Sequence, residues 1–133
     1  MSLQSQYELV MLIDEDPIDN LINQKIIESN NFSEKVQVHQ TGTEALDYLR
    51  SKEATPADLP DLIFLDINMP IMDGFQFLEE FEKLGKAAHE KCKIIMLSSS
   101  ISPRDIDRAA SNRFVKKYLN TPLNARYLQA ITI

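Results

Sequence analysis

Five short strand-like runs alternate with segments of helical period along this chain, and this alternation constrains its fold more than any other feature. The runs at residues 9–13, 62–65 and 93–97 are almost entirely apolar, the run at 35–40 alternates as a strand nearer an edge would, and the fifth run occupies residues 114–119. Continuous apolar runs of this length are typical of parallel strands that are covered on both faces. With a helical segment after each run, the sequence predicts an α/β fold, a doubly wound five-stranded parallel sheet with helices on both faces.

The helical segments carry start signals and apolar stripes. Asp16 followed by Pro17 is typical of an N-cap and the first residue of a helix. Further helices are expected over residues 43–50, 75–84, 102–111 and 123–131. The residues expected to face the core are Ile18, Leu21, Ile22, Ile26 and Ile27 in the first helix and Leu123, Tyr127, Leu128 and Ile131 in the last.

Length and charge restrict the class of protein. The chain has 133 residues, which suffices for one domain with a sizeable core. We expect that domain over residues 7–131, after an N-terminal tail of residues 1–6. The 14 basic and 20 acidic residues give a formal net charge of −6. The absence of a basic run argues against nucleic-acid binding, and an acidic surface disfavours anionic membranes.

Cysteine content and the N-terminal residues favour a cytoplasmic protein. The single cysteine, Cys92, excludes a disulfide or a cysteine metal site within the chain, which fits a reducing compartment. No apolar run approaches the roughly 20 residues of a membrane span. The first residues, MSLQSQ, lack the charged and apolar regions of a signal peptide.

Polar residues follow the apolar runs, at the edge of the sheet where ligands bind in doubly wound folds. Asp14 and Glu15 follow the first strand, Asp66 the third and Ser98 the fourth. Two carboxylates about 4 Å apart repel by about 4 kcal/mol at an effective dielectric near 20, and a hard cation such as Mg²⁺ offsets that repulsion. A carboxylate beside such an ion can form an acyl phosphate, and Asp66, alone at the end of a central strand, is the candidate nucleophile.

Local structure explains other polar residues near these strand ends better than a ligand site does. Asp16 is expected to cap a helix rather than to bind a metal. Asp73 and Gly74 are expected to form a turn at the start of the next helix. His39 and His89 are far apart in the sequence, and we interpret both as ordinary strand or surface residues.

From about Tyr7 to Ile131, the chain resembles the receiver domain of two-component response regulators of the chemotaxis-regulator type. Five motifs match in order, namely LIDED, TGTEAL, FLDINMPIMDG, IIMLSS and YLNTPL. The third, Asp-x-x-Met-Pro-x-x-Asp-Gly, is the most specific. The resemblance implies a flavodoxin-like sheet with the strand order 2-1-3-4-5.

The resemblance also implies roles for the strand-end residues. Asp66 would be the phosphoacceptor, and Mg²⁺ would be held by Asp14, Glu15, Asp66 and the backbone carbonyl of Asn68. The donor would be the phosphohistidine of a sensor histidine kinase or of a histidine phosphotransfer protein. Ser98 would be the switch hydroxyl that turns toward the phosphoryl group.

Further along the chain, the resemblance makes Tyr118 the switch aromatic, whose rotamer follows the switch hydroxyl, and aligns Pro122 with the proline of the family's Lys-Pro pair. The sequence departs from the family at Glu15, where Asp is usual, and at Thr121, where the family has a lysine that contacts the phosphoryl group. Lys117 lies roughly 13 Å back along an extended strand and is not expected to reach the site. Arg104 is a less constrained substitute.

We therefore expect a phosphorylation-activated receiver, either a single-domain regulator or part of a longer protein, and not a turnover enzyme. The helix over residues 102–111, the fifth strand and the last helix would form its face for a downstream protein. Thr121 keeps open the alternative of a phosphorylation-independent interaction module with the receiver fold. A hydrolase with an aspartyl-phosphate intermediate ranks below both, because such phosphatases place an Asp-x-Asp pair after the first strand.

Overall fold

A computed structural model describes residues 6–99 and 102–131, which form a five-stranded parallel sheet in the order β2-β1-β3-β4-β5. The strands are β1 (Tyr7–Ile13), β2 (Ser33–His39), β3 (Leu62–Asp66), β4 (Lys93–Ser98) and β5 (Val115–Asn120). The helices are α1 (Pro17–Ser29), α2 (Gly42–Ser51), α3 (Gly74–Glu82), α4 (Lys86–Lys91), α5 (Pro103–Ser111) and α6 (Ala125–Ala130). The predicted fold class and strand order are confirmed. Over these residues, none of the helices has the length and apolar character needed to cross a bilayer.

An apolar core lies on each face of the sheet. The core beneath α2, α3, α4 and α5 includes Met11, Ile13, Leu46, Phe77, Phe81 and Met96. The core beneath α1 and α6 includes Val10, Leu12, Ile27, Phe64 and Leu128. Because successive side chains of a strand point to opposite faces, β1 contributes to both cores, and this explains why its sequence is continuously apolar.

The prediction of five helices was wrong by one, because α4 lies between α3 and β4. This helix has six residues, buries only Ala88, and has no side-chain cap of its own. Its start is instead stabilised by Glu53, whose carboxylate accepts a hydrogen bond from the N–H of Gly85, 32 positions further along the chain. A contact of that kind leaves no local sequence pattern to recognise.

The predicted inward stripe of α1 was also wrong. Ile18, Leu21 and Ile22 are 66%, 54% and 41% exposed, whereas Asn20 and Asn23 face the sheet and are buried. Two hydrogen bonds to backbone groups at the edge of the sheet, described below, account for this orientation. Of the predicted stripe, Ile27 is fully buried and Ile26 partly buried.

The remaining helix predictions are largely confirmed. Asp16 caps α1 by accepting a hydrogen bond from the N–H of Ile18 at 2.9 Å. Asp73 caps α3 in a reciprocal capping box with Gln76, as its predicted turn role requires. The last helix begins at Ala125 rather than Leu123, and the predicted inward residue Tyr127 is only half-buried.

Gly74 allows α3 to approach the end of β3 closely. Its N–H donates to the carbonyl of Ile67 at 2.9 Å. A Cβ at this position would lie 2.9 Å from the carbonyl oxygen of Asp66 and 2.9 Å from the Cα of Ile67. Both are backbone atoms, so the strand end that carries Asp66 would have to move.

We therefore expect Gly74→Ala to lower the free energy of unfolding by about 1–3 kcal/mol, the usual cost of forcing atoms into a packed site. Gly42→Ala is the matched control, because Gly42 is also the first residue of a helix and its Cβ would meet side chains rather than backbone, namely flexible Met72 at 2.7 Å from Sδ and Phe77 at 3.4 Å from Cδ2. The control should change stability by about 1 kcal/mol or less. Urea denaturation of both variants measures this, and equal losses would contradict the role assigned to Gly74.

Candidate functional site

Two carboxylates lie side by side at the carboxyl edge of the sheet. β1 and β3 pair in parallel with Ile13 beside Leu65, so that Asp14 and Asp66 are the next residues on neighbouring strands. Asp14 is only 5% exposed, and Asp66 is partly buried. Sequence reasoning expected both residues at this edge, and the structure brings them together.

The pKa values of both carboxyls are raised. Burial raises the pKa of Asp14 to about 6, although a hydrogen bond from the N–H of Asp16 opposes the shift. Burial, and then the charge of Asp14, raises the pKa of Asp66 to about 7. The other charged groups that raise it are Asp19 and Glu15. The arrangement therefore concentrates negative charge in a partly dry environment, where a bound cation has a large effect.

Buried Asp14 and partly buried Asp66 provide a site that suits a hard cation better than it suits a closed metal centre. Within residues 6–99 and 102–131, no three His, Cys, Asp or Glu side chains converge as a ready-made metal site. Mg²⁺ usually takes one or two carboxylates and keeps several waters. Asp14 and Asp66 match that requirement, and such an ion would favour their ionised forms, which burial disfavours.

The other two expected ligands lie nearby in different environments. The N–H of Asn68 donates to Oδ1 of Asp66 at 3.4 Å, which helps to orient that carboxylate. The side chain of Glu15 is exposed and lines a cavity of about 180 Å³ with Met69 and Met72. Ile71, on the rim of the same cavity, is 98% exposed and has a φ of 65°, a conformation that is uncommon for a β-branched residue.

Ser98 and Tyr118 lie on one face of the sheet. Tyr118 pairs with Met96 on β4, and Ser98 is two residues further along that strand, so both point to the side of α2 to α5. Ser98 is completely buried, and Tyr118 packs against the edge of the core on that side. Thr121 lies next to them, because its N–H donates to the carbonyl of Ser98 at 3.0 Å.

Within the described residues, neither Lys117 nor Arg104 replaces the lysine that the family has at the position of Thr121. Lys117 pairs with Ile95 in the middle of β4, three residues before Ser98. Arg104 is exposed in the first turn of α5. The charged groups that shift the pKa of Asp66 are all acidic, and neither basic residue is among them.

Sequence reasoning missed Asn20 and Asn23 of α1. Asn20 donates from Nδ2 to the carbonyl oxygen of Asp14 at 2.6 Å, and Asn23 accepts through Oδ1 from the N–H of Leu123 at 3.0 Å. The available signal was a pair of asparagines three positions apart in a helix, where this residue type is unfavourable and where spacing of three residues places both on one face.

The chain is similar to proteins of one family. Residues 10–132 match the family model described as the response regulator receiver domain. A two-component response regulator from Cytophaga hutchinsonii, known as a crystal structure, is 32% identical with 92% of each chain covered and a TM-score of 0.86. The probable methanogenesis regulatory protein FilR2 of Methanothrix harundinacea is 28% identical over 87% of this chain and 73% of that protein. The sensor histidine kinase CheAY of Helicobacter pylori is 26% identical over 92% of this chain, which spans 14% of the kinase.

The raised pKa values predict an unusual dependence of stability on pH. Asp14 and Asp66 hold their protons in the folded protein to about pH 6 and 7, whereas aspartate in the unfolded chain loses its proton near 3.8. This contribution to stability is complete below about pH 4 and is lost as the pH rises through the folded pKa values. We expect the free energy of unfolding of the metal-free protein to fall between about pH 4 and pH 7.

Asp66→Asn should reduce that fall and stabilise the metal-free protein near pH 8 by on the order of 1–2 kcal/mol, since the group remains partly accessible to water. Asp47→Asn, a change at an exposed residue of α2, is the control. Urea denaturation with chelator across this pH range measures the effect. Identical pH profiles for wild type and Asp66→Asn would show that burial of this carboxyl does not govern the slope.

Proposed function

Because this chain belongs to the response regulator receiver family of two-component signalling, we propose that residues 7–131 form a cytoplasmic receiver that is phosphorylated on Asp66. Receiver domains are signalling domains rather than turnover enzymes. The observation that carries the proposal is the pairing of Asp66, at the end of the central strand β3, with the buried carboxylate of Asp14 on the neighbouring strand. The donor is the phosphohistidine of a sensor histidine kinase or of a histidine phosphotransfer protein.

In the proposed reaction an oxygen of the Asp66 carboxylate attacks the phosphorus atom of phosphohistidine. The P–O bond of an acyl phosphate forms as the P–N bond breaks, and the imidazole of the donor leaves and takes up a proton. Only the ionised carboxylate is nucleophilic, and its pKa of about 7 leaves a substantial neutral fraction at neutral pH. The N–H of Asn68, which donates to Oδ1 of Asp66, favours the ionised form.

We propose Asp14, Glu15, Asp66 and the carbonyl of Asn68 as the residues that hold Mg²⁺. When bound, the cation neutralises charge on the phosphoryl oxygens and on the carboxylates. Asp14 is fixed for this role by hydrogen bonds to its backbone and side chain. Glu15 is one methylene longer than the aspartate usual in the family, and its exposed position allows it to bind directly or through a water.

The proposed response to phosphorylation passes through the face of the sheet that holds Ser98 and Tyr118. Ser98 would turn toward the phosphoryl group, and Tyr118, half-buried at the edge of the same core, would follow. The partner for the output is a downstream protein that binds α5, β5 and α6. Such a change requires that the phosphoryl group interact more favourably with one conformation of the domain than with the other.

We place the phosphodonor on the exposed apolar side of α1. Ile18, Leu21 and Ile22 are exposed, and α1 begins three residues after Asp14. Ile71 is also exposed, on the loop after β3. Apolar side chains therefore lie on both borders of the acidic site. A partner that brings a phosphohistidine to Asp66 can bury this apolar surface when it binds.

We expect acetyl phosphate with Mg²⁺ to raise the intact mass of the wild-type protein by one phosphoryl group, with loss of the label in alkali. Asp66→Asn should not be labelled, because an amide cannot form an acyl phosphate. Asp73→Asn is the control, since Asp73 caps α3 on the same loop and has no part in the chemistry. Labelling of Asp66→Asn to the wild-type level would refute the assignment of Asp66. An unlabelled wild type that also fails to bind Mg²⁺ would favour the phosphorylation-independent module.

The proposed donor surface predicts a difference between small and protein donors. Leu21→Asp should slow transfer from a phosphorylated histidine phosphotransfer protein by about tenfold or more, because it places a charge in a buried contact. Labelling by acetyl phosphate should not change, since that donor needs no docking surface. Ile106→Asp, at an exposed apolar residue of α5, is the control and should leave both rates intact. Equal slowing with both donors would place the defect in the site itself.

Because position 121 is a threonine rather than a lysine, we expect phosphorylation of Asp66 to shift the conformations of Ser98 and Tyr118 only weakly. A lysine ammonium about 4 Å from a phosphoryl oxygen contributes about 4 kcal/mol at an effective dielectric near 20, whereas a neutral hydrogen bond contributes about 1 kcal/mol. We expect Thr121→Lys to enlarge the spectral changes at Ser98 and Tyr118 when a beryllofluoride mimic is added, with Mg²⁺ binding retained. Arg104→Ala tests whether that arginine already supplies the charge. A full response in wild type that lysine does not increase would contradict a weakened switch.

A further inference from the structure

Two asparagines, Asn20 and Asn23, lie on the side of α1 that faces the sheet, with 3% and 1% of their surfaces exposed. Burial of an amide is unfavourable unless it is hydrogen-bonded, and asparagine is a poor residue for a helix interior. Each of the two therefore needs a specific partner. The structure gives each one a backbone group at the edge of the sheet where Asp14 and Asp66 lie.

Asn20 fixes α1 to the end of β1. Its Nδ2 donates to the carbonyl oxygen of Asp14 at 2.6 Å. The N–H of Asp14 donates to the carbonyl of His39 at 3.1 Å, and its Oδ1 accepts from the N–H of Asp16 at 2.9 Å. Asp14 is thus held by α1, by β2 and by its own loop, and α1 is positioned relative to the acid pair.

Asn23 fixes the same helix to the loop after β5. Its Oδ1 accepts from the N–H of Leu123 at 3.0 Å, although the two residues are 100 positions apart. Pro122 has no N–H, so Leu123 is the first donor beyond Thr121. Because Thr121 itself donates to the carbonyl of Ser98 at 3.0 Å, the loop of residues 121–123 is held by β4 at one end and by α1 at the other.

This second attachment matters because position 121 is a threonine. A lysine there could hold the loop against a phosphoryl group through its charge, whereas threonine has no charge with which to do so. Asn23 provides a different connection between the loop and the acid pair, since it belongs to the helix that Asn20 fixes to Asp14. The loop and Asp14 are therefore both attached to α1.

We propose that Asn23 is a positioning residue that holds the loop of residues 121–123 at the phosphorylation site and couples it, through α1 and Asn20, to Asp14. This rests on the function proposed above. An asparagine that only stabilised the fold would protect the N–H of Leu123 without affecting how phosphorylation changes the loop. The two roles therefore differ in a measurable way.

Three variants separate these roles. Asn23→Leu removes the acceptor at similar volume, and Asn23→Asp keeps an acceptor oxygen at the same position. Ile27→Val is the control, because Ile27 lies one turn further along the buried side of α1 and its apolar side chain cannot hydrogen-bond to the loop. Asn23→Ala, which removes the acceptor with less volume, replaces Asn23→Leu if the latter does not fold.

The first measurement is amide hydrogen exchange at Leu123. We expect exchange to be faster by about tenfold or more in Asn23→Leu, and within about twofold of wild type in Asn23→Asp and Ile27→Val. Unchanged exchange in Asn23→Leu would show that the hydrogen bond does not hold the loop, and this result would overturn the proposal without any reference to phosphorylation.

The second measurement is the displacement of the amide signals of Thr121 and Tyr118 by saturating beryllofluoride and Mg²⁺. We expect this displacement to fall by roughly half or more in Asn23→Leu, because the loop and the site no longer share a support. The displacement should recover in Asn23→Asp, which keeps the acceptor oxygen. Faster exchange at Leu123 with a wild-type response would leave Asn23 a purely structural role and overturn the proposal. If beryllofluoride and Mg²⁺ displace no signals in the wild-type protein, both the proposed function and the positioning role are overturned. If the wild-type protein responds and Asn23→Leu responds equally, only the positioning role is overturned.

Discussion

Parallel pairing of β1 with β3 is the constraint on which the site depends. It sets Ile13 beside Leu65 and so brings Asp14 and Asp66 together at a partly buried edge. Burial disfavours the ionised form of both carboxyls, and the charge of Asp14 adds to this effect on Asp66; the pKa values of about 6 and 7 record that cost. The fold tolerates the cost because extensive apolar cores lie behind both strands. A site with excess negative charge is suited to a divalent cation and to a phosphoryl group that the cation accompanies.

Polar contacts, together with apolar packing, position the elements around this edge. Asn20 and Asn23 direct α1 inward through hydrogen bonds to Asp14 and Leu123, and this leaves Ile18 and Leu21 exposed. The orientation of one helix thus does two things. It supports the strand end and the loop that border the acid pair, and it leaves an apolar surface exposed near that site, where we propose that the donor binds.

Much of the fold and part of the site could be predicted from local pattern. Strand-length apolar runs identified the sheet, and the residues directly after them identified Asp14 and Asp66. The cap roles of Asp16 and Asp73 followed from their positions before Pro17 and Gly74. Prediction failed for α4 and for the exposed side of α1 because both depend on hydrogen bonds to other elements, two of them to residues 32 and 100 positions away. Hydrophobic periodicity alone cannot show that asparagines, which bind a backbone carbonyl and a backbone N–H, will occupy the inner side of a helix in place of isoleucine.

By itself, the sequence determined the α/β class, the family and the presence of carboxylates at strand ends, because these depend on residue type and local spacing. The tertiary structure alone decided how near the carboxylates lie, how far burial raises their pKa values, and which side of α1 faces water. It also showed that the loop after β5 is held by Asn23 as well as by Ser98. These properties arise from contacts between segments up to 100 positions apart, whose energies depend on distance and on the exclusion of water.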